Sequence, residues 1–429
     1  MSLDSATASS DVDAALTRYS AVRQFSQLLS EPLSAEDCVI QSMPDVSPTR
    51  WHLAHTTWFF ETFILSEQPD YRAFDPSYAF LFNSYYNTVG EQFPRPQRGL
   101  LSRPSLDEIL SYRRHVDEHV LRSLETENGR NEQIWKTLEI GLNHEQQHQE
   151  LILTDIKHVL SCNPLLPIYR EGAFRTGGGD VTLEWIPFDD GTYLVGHEAD
   201  SFAFDNESPR HRTLIEPFEL SSQLVTCGQF IGFMEDDGYD RPELWLSLGW
   251  QHICDHAFQA PLYWRKRDGR WMEFTLAGLR EIDPAQPICH VSFFEADAYA
   301  RWANARLPTE AEWEVASQTV PIEGNFADRL HATGSAIHPS PILASTGVLQ
   351  QMFGDVWEWT ASPYVAYPGY QPPDGALGEY NGKFMCNQIV LRGGSCATSS
   401  DHMRRTYRNF FPPEARWQFS GFRLARDCG

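Results

Sequence analysis

Two histidines, His144 and His148, stand four positions apart in the run Asn143-His144-Glu145-Gln146-Gln147-His148-Gln149-Glu150. On a helix this spacing is just over one turn, so both imidazoles leave one face close enough together to hold a single transition-metal ion. The surrounding pattern predicts such a helix. Ile134, Leu138, Leu142, Ile152, Ile156 and Val159 mark an apolar stripe, and His148 stands on it four residues before Ile152. The stripe is interrupted only where the histidines lie. Imidazoles that face a core without partners are costly, so the pair calls for hydrogen bonds or a metal, and a solvated polar face is the poorer reading.

Two carboxylates accompany the pair. His144-Glu145-Gln146-Gln147-His148 satisfies the His-Glu-x-x-His pattern of zinc metalloproteases, with Glu145 as the would-be base. The extended metzincin form needs Gly at 151 and His at 154, where this chain has Leu151 and Thr154. Glu150 forms a His-x-Glu string with His148, as in two-histidine, one-carboxylate iron sites. On a helix, residues two apart lie about 200° around the axis, so Glu150 points away from the metal and reads as a supporting carboxylate.

The elements that position these groups divide at about residue 165. Before it, long segments carry a 3.6-residue period with few glycines. They predict helices over 14–29, from Ser47-Pro48 through Glu61, over 105–124 and over 132–160, with Ser47 capping the second and Pro48 in its first turn. Four helices with an aromatic interior imply a bundle, a fold that builds metal sites from side chains on facing helices. Asn163-Pro164 through Arg175-Thr176-Gly177-Gly178-Gly179-Asp180 reads as a linker. Beyond it, Gly, Pro, Trp and short strand-like pieces predominate, with one clear helix over 294–305. The expected organisation is α+β: a helical domain over 12–165, a linker over 166–182 and a second domain over 183–429.

A chain of 429 residues with 41 % hydrophobic and 13 % aromatic residues supports two or three globular cores. The net charge of −24 disfavours nucleic acid and anionic membrane as partners. The opening Met-Ser-Leu-Asp-Ser-Ala lacks the basic start and apolar run of a secretory signal, and no apolar stretch is long enough to cross a bilayer, so a cytoplasmic protein is expected. The eight cysteines are scattered without a Cys-x-x-Cys pair, which indicates neither a zinc ribbon nor a disulfide framework; most are expected to be buried thiols.

Five strings in the second domain are the most specific in the chain: Asp205-Asn206-Glu207-Ser208-Pro209, Arg306-Leu307-Pro308-Thr309-Glu310-Ala311-Glu312-Trp313-Glu314, Gly354-Asp355-Val356-Trp357-Glu358-Trp359-Thr360, Leu391-Arg392-Gly393-Gly394-Ser395 and Gly421-Phe422-Arg423. In this order they resemble the formylglycine-generating-enzyme (sulfatase-modifying factor) fold, a relative of the C-type lectin architecture. The first domain resembles the DinB-like four-helix bundle. This pairing, with Leu53-Ala54-His55 in one helix and His-x-x-x-His-x-Glu in another, resembles over nearly the whole chain the iron(II)-dependent sulfoxide synthases of ergothioneine biosynthesis.

The resemblance implies an Fe(II) cofactor held by His55, His144 and His148. Helix geometry alone leaves His52 as a rival to His55, since both can face the bundle interior. The string Leu81-Phe82-Asn83-Ser84-Tyr85-Tyr86-Asn87 resembles the branch of the family that takes free cysteine as sulfur donor, which assigns Tyr85 and Tyr86 to the active site; a tyrosine hydroxyl there can donate a proton. Arg95 and Arg98, in Pro94-Arg95-Pro96-Gln97-Arg98-Gly99, can clamp a substrate carboxylate, with Arg103 equally open. Gln147, Asn409, Phe410, Phe411 and Trp417 match positions that hold hercynine, the trimethylated histidine, whose quaternary ammonium finds its natural partners in aromatic faces.

The implied reaction uses O2 to join the sulfur of cysteine or γ-glutamylcysteine to the imidazole C2 of hercynine with S-oxidation, at a site between the domains. Its rivals are a selenoneine synthase using a selenosugar, a histidine-directed ovothiol-type synthase, a zinc-dependent thiol transferase of DinB type and a non-catalytic ligand-binding protein. Copper-dependent formylglycine generation is disfavoured, because the cysteine pair it needs after Arg-Gly-Gly-Ser is reduced here to Cys396.

Overall fold

Four long helices organise the N-terminal part: α1 (Leu3–Ser30), α2 (Thr49–Phe60), α4 (Leu106–Glu125) and α5 (Glu132–Cys162), with a one-turn helix α3 (Tyr78–Leu81) in the long α2–α4 connection. The computed structural model describes residues 3–126, 131–177, 182–198, 201–342 and 348–428. The chain separates into two compact units, one reaching to Cys162 and including Asp374–Glu379, the other comprising Asn163–Pro373 and Tyr380–Gly429.

In the first unit α1 packs on α5, and α2 packs on both α4 and α5. All twelve residues of α2 are buried, so this helix is the centre of the bundle and presents side chains inward all round. Helix α4 starts at a capping box, in which Ser105 and Glu108 satisfy each other's backbone amides.

Three local expectations need correction. Helix α1 begins at Leu3 instead of residue 14, because nothing in Leu3–Asp13 is Gly or Pro and the segment offers no stop. Ser47 does not cap α2: Pro48 is the cap position, and the Ser47 hydroxyl instead accepts a hydrogen bond from Arg98 at 2.9 Å. The helix stops at Phe60 and widens into a π-turn over Glu61–Leu65, where the buried Glu61 carboxylate accepts from Tyr71, Tyr112 and the Phe74 amide.

A buried ionic network ties the four helices at the level of the histidines. Glu145 of α5 accepts from Arg23 of α1 at 2.7 Å and from Arg113 of α4 at 2.8 Å. Arg113 also donates to the Leu53 carbonyl and the Thr57 hydroxyl of α2, while Arg23 reaches Asp117 and Thr57. Burial works to raise the Glu145 pKa, yet Arg23 and Arg113 outweigh it and hold it at about 2.

The second unit is built from short sheets. Its four-stranded sheet has the order Asn409–Phe411, Ile389–Arg392, Trp357–Pro363, Ser420–Gly421, antiparallel except for the last pair. A three-stranded sheet sets Phe218–Ser221 between Trp185–Phe188 and the C-terminal Ala425–Asp427, which closes the unit end to end. The described residues include five helices here where the sequence predicts one: Cys227–Glu235, Ser247–His256, Phe293–Trp302, Glu310–Ser317 and Ala327–Ala332. Helices of six to ten residues are too short to show a clear period.

The sequence strings of this unit meet as buried ion pairs. Arg392 of Arg-Gly-Gly-Ser binds Glu310 and Glu314, Arg423 of Gly-Phe-Arg binds Glu358 of Trp-Glu-Trp, and Glu207 of Asp-Asn-Glu binds Arg404. Glu207, Glu310, Glu314 and Glu358 of these strings are therefore scaffolding, because each is spent on an arginine. The linker reading changes as well. The Tyr169 and Arg170 amides donate to the Leu276 carbonyl, and Ala173 bridges to Ser335, so this stretch is packed into the second unit; residues 178–181 of the expected linker lie outside the described residues. Half of the cysteines are buried, not most: Cys38, Cys227, Cys289 and Cys396 are buried and the other four are exposed. No helix among the described residues is long and apolar enough to cross a membrane.

Replacing Glu145 by Gln leaves the buried Arg113 guanidinium without its anion and Arg23 with Asp117 alone, and should cost about 3–5 kcal/mol in urea unfolding at pH 7. The folded-state pKa of about 2 lies below the ordinary 4.5, so this carboxylate stabilises the fold fully above pH 4.5 and loses its effect as the pH falls toward 2. The gap between wild type and Glu145→Gln should therefore narrow at pH 3, and an equal gap at both pH values would contradict the network.

Candidate metal centre

His55 projects from α2, and His144 and His148 from successive turns of α5, into one buried space. One ring nitrogen from each lies within 4.8 Å of the other two, and this is the sole group of three potential metal-ligating side chains among the described residues. The rings are 0 %, 2 % and 8 % exposed. Their centroids are 4.6–5.0 Å apart.

The His55 ring is held on three sides. It stacks on Trp51 at 4.6 Å and on Trp58 at 5.6 Å, and its Nδ1 donates to the Phe82 carbonyl at 2.6 Å. A carbonyl can only accept, so the proton sits on Nδ1 and the Nε2 lone pair is left for the site. That Nε2 is buried with no hydrogen-bond partner among the described residues, which is what an open metal ligand looks like.

Burial favours the neutral form of all three rings. It pushes His144 down to about 3. His55 and His148 are also held well below 6.5, by burial first and then by the neighbouring imidazoles. Three neutral nitrogen donors with no carboxylate fit a divalent transition metal such as iron, cobalt or zinc, and leave further coordination positions open.

The two carboxylates of the sequence run are disposed of differently. Glu145 is locked between Arg23 and Arg113, so it cannot serve as the base of a metalloprotease. Glu150 is buried on α5 but is not part of the three-ligand group, as its position two residues past His148 on a helix requires.

Arg98 and Arg95, which the sequence left unranked with Arg103, now separate. Arg95 is exposed and donates to the Asp45 carbonyl, and Arg103 donates to the Ser102 carbonyl. Arg98 is 3 % exposed; its guanidinium lies 3.3 Å over the Trp51 ring and donates to the Ser47 and Ser84 hydroxyls. Burial works against its charge, Arg95 adds to this, and Asp155 favours it. A guanidinium keeps its proton, so Arg98 is a buried cation that donates to hydroxyls and is suited to an anionic ligand.

Tyr86 is fully buried, 5.6 Å from Trp58 and 5.2 Å from Phe63, and the half-buried Tyr85 stacks on it at 4.7 Å. Gln147 is half-buried on α5 between the two histidines. In the second unit Asn409–Phe411 forms the edge strand of the four-stranded sheet. Phe410 stacks on Tyr364 at 4.0 Å, and Phe411 meets Trp417 edge to face at 5.9 Å. The Trp417 Nε1 is buried without a hydrogen-bond partner among the described residues.

Sequence reasoning treated His52 only as a rival ligand and missed Asp155. The His52 Nδ1 meets the His148 Nδ1 at 2.8 Å, and its Nε2 meets Asp155 Oδ2 at 3.0 Å. The available signal was Asp155 seven residues, or two turns, after His148 on the same helical stripe.

Residues 18–152 match the family model of the DinB superfamily and residues 182–428 that of the sulfatase-modifying factor enzyme 1-like domain. A DinB-like helical unit carrying a three-histidine cluster, joined to a sulfatase-modifying-factor-like unit, defines the class. The hercynine oxygenase of Mycolicibacterium thermoresistibile is 32 % identical over 412 residues, covering 90 % of this chain and 88 % of that protein. The hercynine oxygenase of Mycolicibacterium smegmatis is 36 % identical over 315 residues, 67 % and 70 % of the two chains. The formylglycine-generating enzyme of Thermomonospora curvata is 27 % identical and covers 59 % of this chain. The chain belongs to the hercynine oxygenase family and is an oxidoreductase, which removes the reading as a non-catalytic ligand-binding protein.

In the metal-free protein, stability should fall as the pH drops below 6.5, because the histidines of the unfolded chain bind protons that the buried rings refuse, His144 down to about 3. His144→Leu should reduce this slope by one proton, about 1.4 kcal/mol per pH unit between these limits. Urea titrations at several pH values measure it; an unchanged slope would mean that His144 titrates like a free imidazole.

Proposed function

We propose that this chain is a non-haem iron(II) sulfoxide synthase that couples a cysteine-type thiol to hercynine with O2. The observation that carries the reading is the trio of buried, neutral imidazoles free of carboxylate, in a chain of the hercynine oxygenase family. The overall reaction balances as thiol plus hercynine plus O2 giving the S-oxidised thioether and one water: the S–H and the imidazole C2–H bonds are broken, a C–S and an S–O bond form, and O2 takes up the four electrons.

His55, His144 and His148 would hold Fe(II), which when bound supplies the binding and reduction of O2 and acidifies a coordinated thiol. The chain's own residues order the partners. Arg98 receives the donor carboxylate, since its charge is buried beside hydroxyls. Tyr85 and Tyr86 hold and deliver a proton. Gln147, Asn409, Phe410, Phe411 and Trp417 are the residues we assign to hercynine, aromatic faces being suited to its trimethylammonium group. Arg95 is the weaker candidate for the donor, being turned to the Asp45 carbonyl.

The test incubates anaerobically iron-loaded protein with hercynine or histidine and with cysteine, γ-glutamylcysteine or a selenosugar, adds O2, and identifies the adducts by mass. A cysteine–hercynine sulfoxide is expected; a selenosugar adduct or a histidine-only adduct would replace this reading by the selenoneine or ovothiol type. Arg98→Met should raise the KM for the thiol donor about 10–100-fold with the hercynine KM little changed, the loss expected for a charge-assisted hydrogen bond. Equal effects on both substrates would remove Arg98 from the donor site.

A further inference from the structure

His52 is 2 % exposed and Asp155 3 % exposed, and neither belongs to the three-ligand group. Buried polar side chains of this kind need a reason. His52 spans the gap between a ligand and a carboxylate: its Nδ1 lies 2.8 Å from the His148 Nδ1, and its Nε2 lies 3.0 Å from Asp155 Oδ2. The Ser47 amide donates to the same Asp155 oxygen at 2.8 Å, and this fixes the carboxylate from a second direction.

Proton placement along this line has few solutions. Two ring nitrogens 2.8 Å apart share one hydrogen, so one ring donates and the other accepts. A carboxylate oxygen that already accepts from Ser47 requires a donor from His52, so the His52 proton sits on Nε2. A neutral His52 is then left with a lone pair on Nδ1. His148 must donate from its own Nδ1, and its Nε2 becomes the free lone pair. The opposite arrangement needs a second proton on His52 and leaves the His148 proton on Nε2, the nitrogen a metal would take.

We propose that His52 and Asp155 form a positioning dyad that fixes the tautomer and ring orientation of His148, presenting its Nε2 to the metal. The proposal deepens the preceding reading and rests on His148 being a ligand. It assigns to His148 from a side-chain relay what the Phe82 carbonyl does for His55.

The test separates the dyad from the triad. Cobalt(II) binding is titrated anaerobically by its visible absorption in wild type, His144→Ala, His52→Leu, His52→Asn and Asp155→Asn, and the metal-free proteins are melted in parallel. His144→Ala should abolish the site. His52→Leu removes the acceptor and should weaken binding about 10–100-fold, the usual cost of losing such an outer partner. His52→Asn keeps an oxygen near the Nδ1 position and should recover most of that loss. Asp155→Asn should weaken binding to a smaller degree, with no further effect in the His52→Leu background, because Asp155 acts through His52. Nitrogen-15 spectra of ring-labelled, metal-free wild type should show the His148 proton on Nδ1, a readout that a merely structural role would not set and that remains available should His52→Leu fail to fold. A His148 proton found on Nε2, or cobalt affinity in His52→Leu equal to wild type while His144→Ala does not bind, would overturn the dyad and leave the triad standing. Wild-type cobalt affinity in His144→Ala would overturn the triad and the dyad with it.

Discussion

Dryness is the constraint on which the metal centre depends. Three imidazoles in a bundle interior stay neutral, because a proton on any of them is a charge without a counter-ion. A neutral imidazole has one donor and one acceptor, so a ring whose lone pair faces the centre must place its N–H elsewhere. The outer partners therefore become part of the site: a carbonyl in the chain after α3 for His55, and the His52–Asp155 line for His148. A divalent ion held by neutral ligands keeps its full charge, which favours anionic ligands at the remaining positions.

The bundle keeps its own anions away from that point. Glu145 follows His144 directly, but the helix turns it about 100° aside, where Arg23 and Arg113 absorb its charge and bind α1, α4 and α5 together. Arg113 extends the same clamp to the Leu53 carbonyl, two residues before His55. One carboxylate thus sets the alignment of the two metal-bearing helices without reaching the metal. Arg98 is the reverse case, a buried cation that donates to the neutral Ser47 and Ser84 hydroxyls.

The bundle and the ligand trio were legible because long helices repeat their signal. The apolar stripe of α5 shows where His144 and His148 point, and the Leu53-Ala54-His55 string distinguished His55 from His52 where helical geometry did not. What lay hidden depends on contacts between distant segments. Asp155 reads as one more polar residue until α2 brings His52 against it, 103 positions away. Ser47 reads as a helix cap until Arg98 takes its hydroxyl. In the second unit the strings identified the fold, yet their chemistry is internal: Glu310, Glu314 and Glu358 are matched to Arg392, Arg408 and Arg423. Nothing in a lone Glu or Arg separates such a clamp from a catalytic group. Four of the five short helices escaped notice because each is only about two or three turns long and owes its start to a cap or a tertiary contact more than to a period.

Histidine spacing by itself would have misled. The same four-residue step recurs at His115 and His119 on α4, with rings 4.3 Å apart, and at His252 and His256 in the second unit, with rings 4.4 Å apart. In both of these pairs the second ring turns its Nδ1 to the carbonyl of the first residue, one turn back on its own helix, and no third ligand stands within reach among the described residues. The pair on α5 differs in what surrounds it. His55 arrives from a facing helix, its tautomer set by the Phe82 carbonyl, and His148 meets His52 instead of its own helix backbone. A His-x-x-x-His step supplies two nitrogens wherever it occurs. A metal centre needs, in addition, a third nitrogen across a dry interface and hydrogen bonds that hold rings in one tautomer, and among the described residues the α2–α5 interface brings three such nitrogens together, with partners set on His55 and His148.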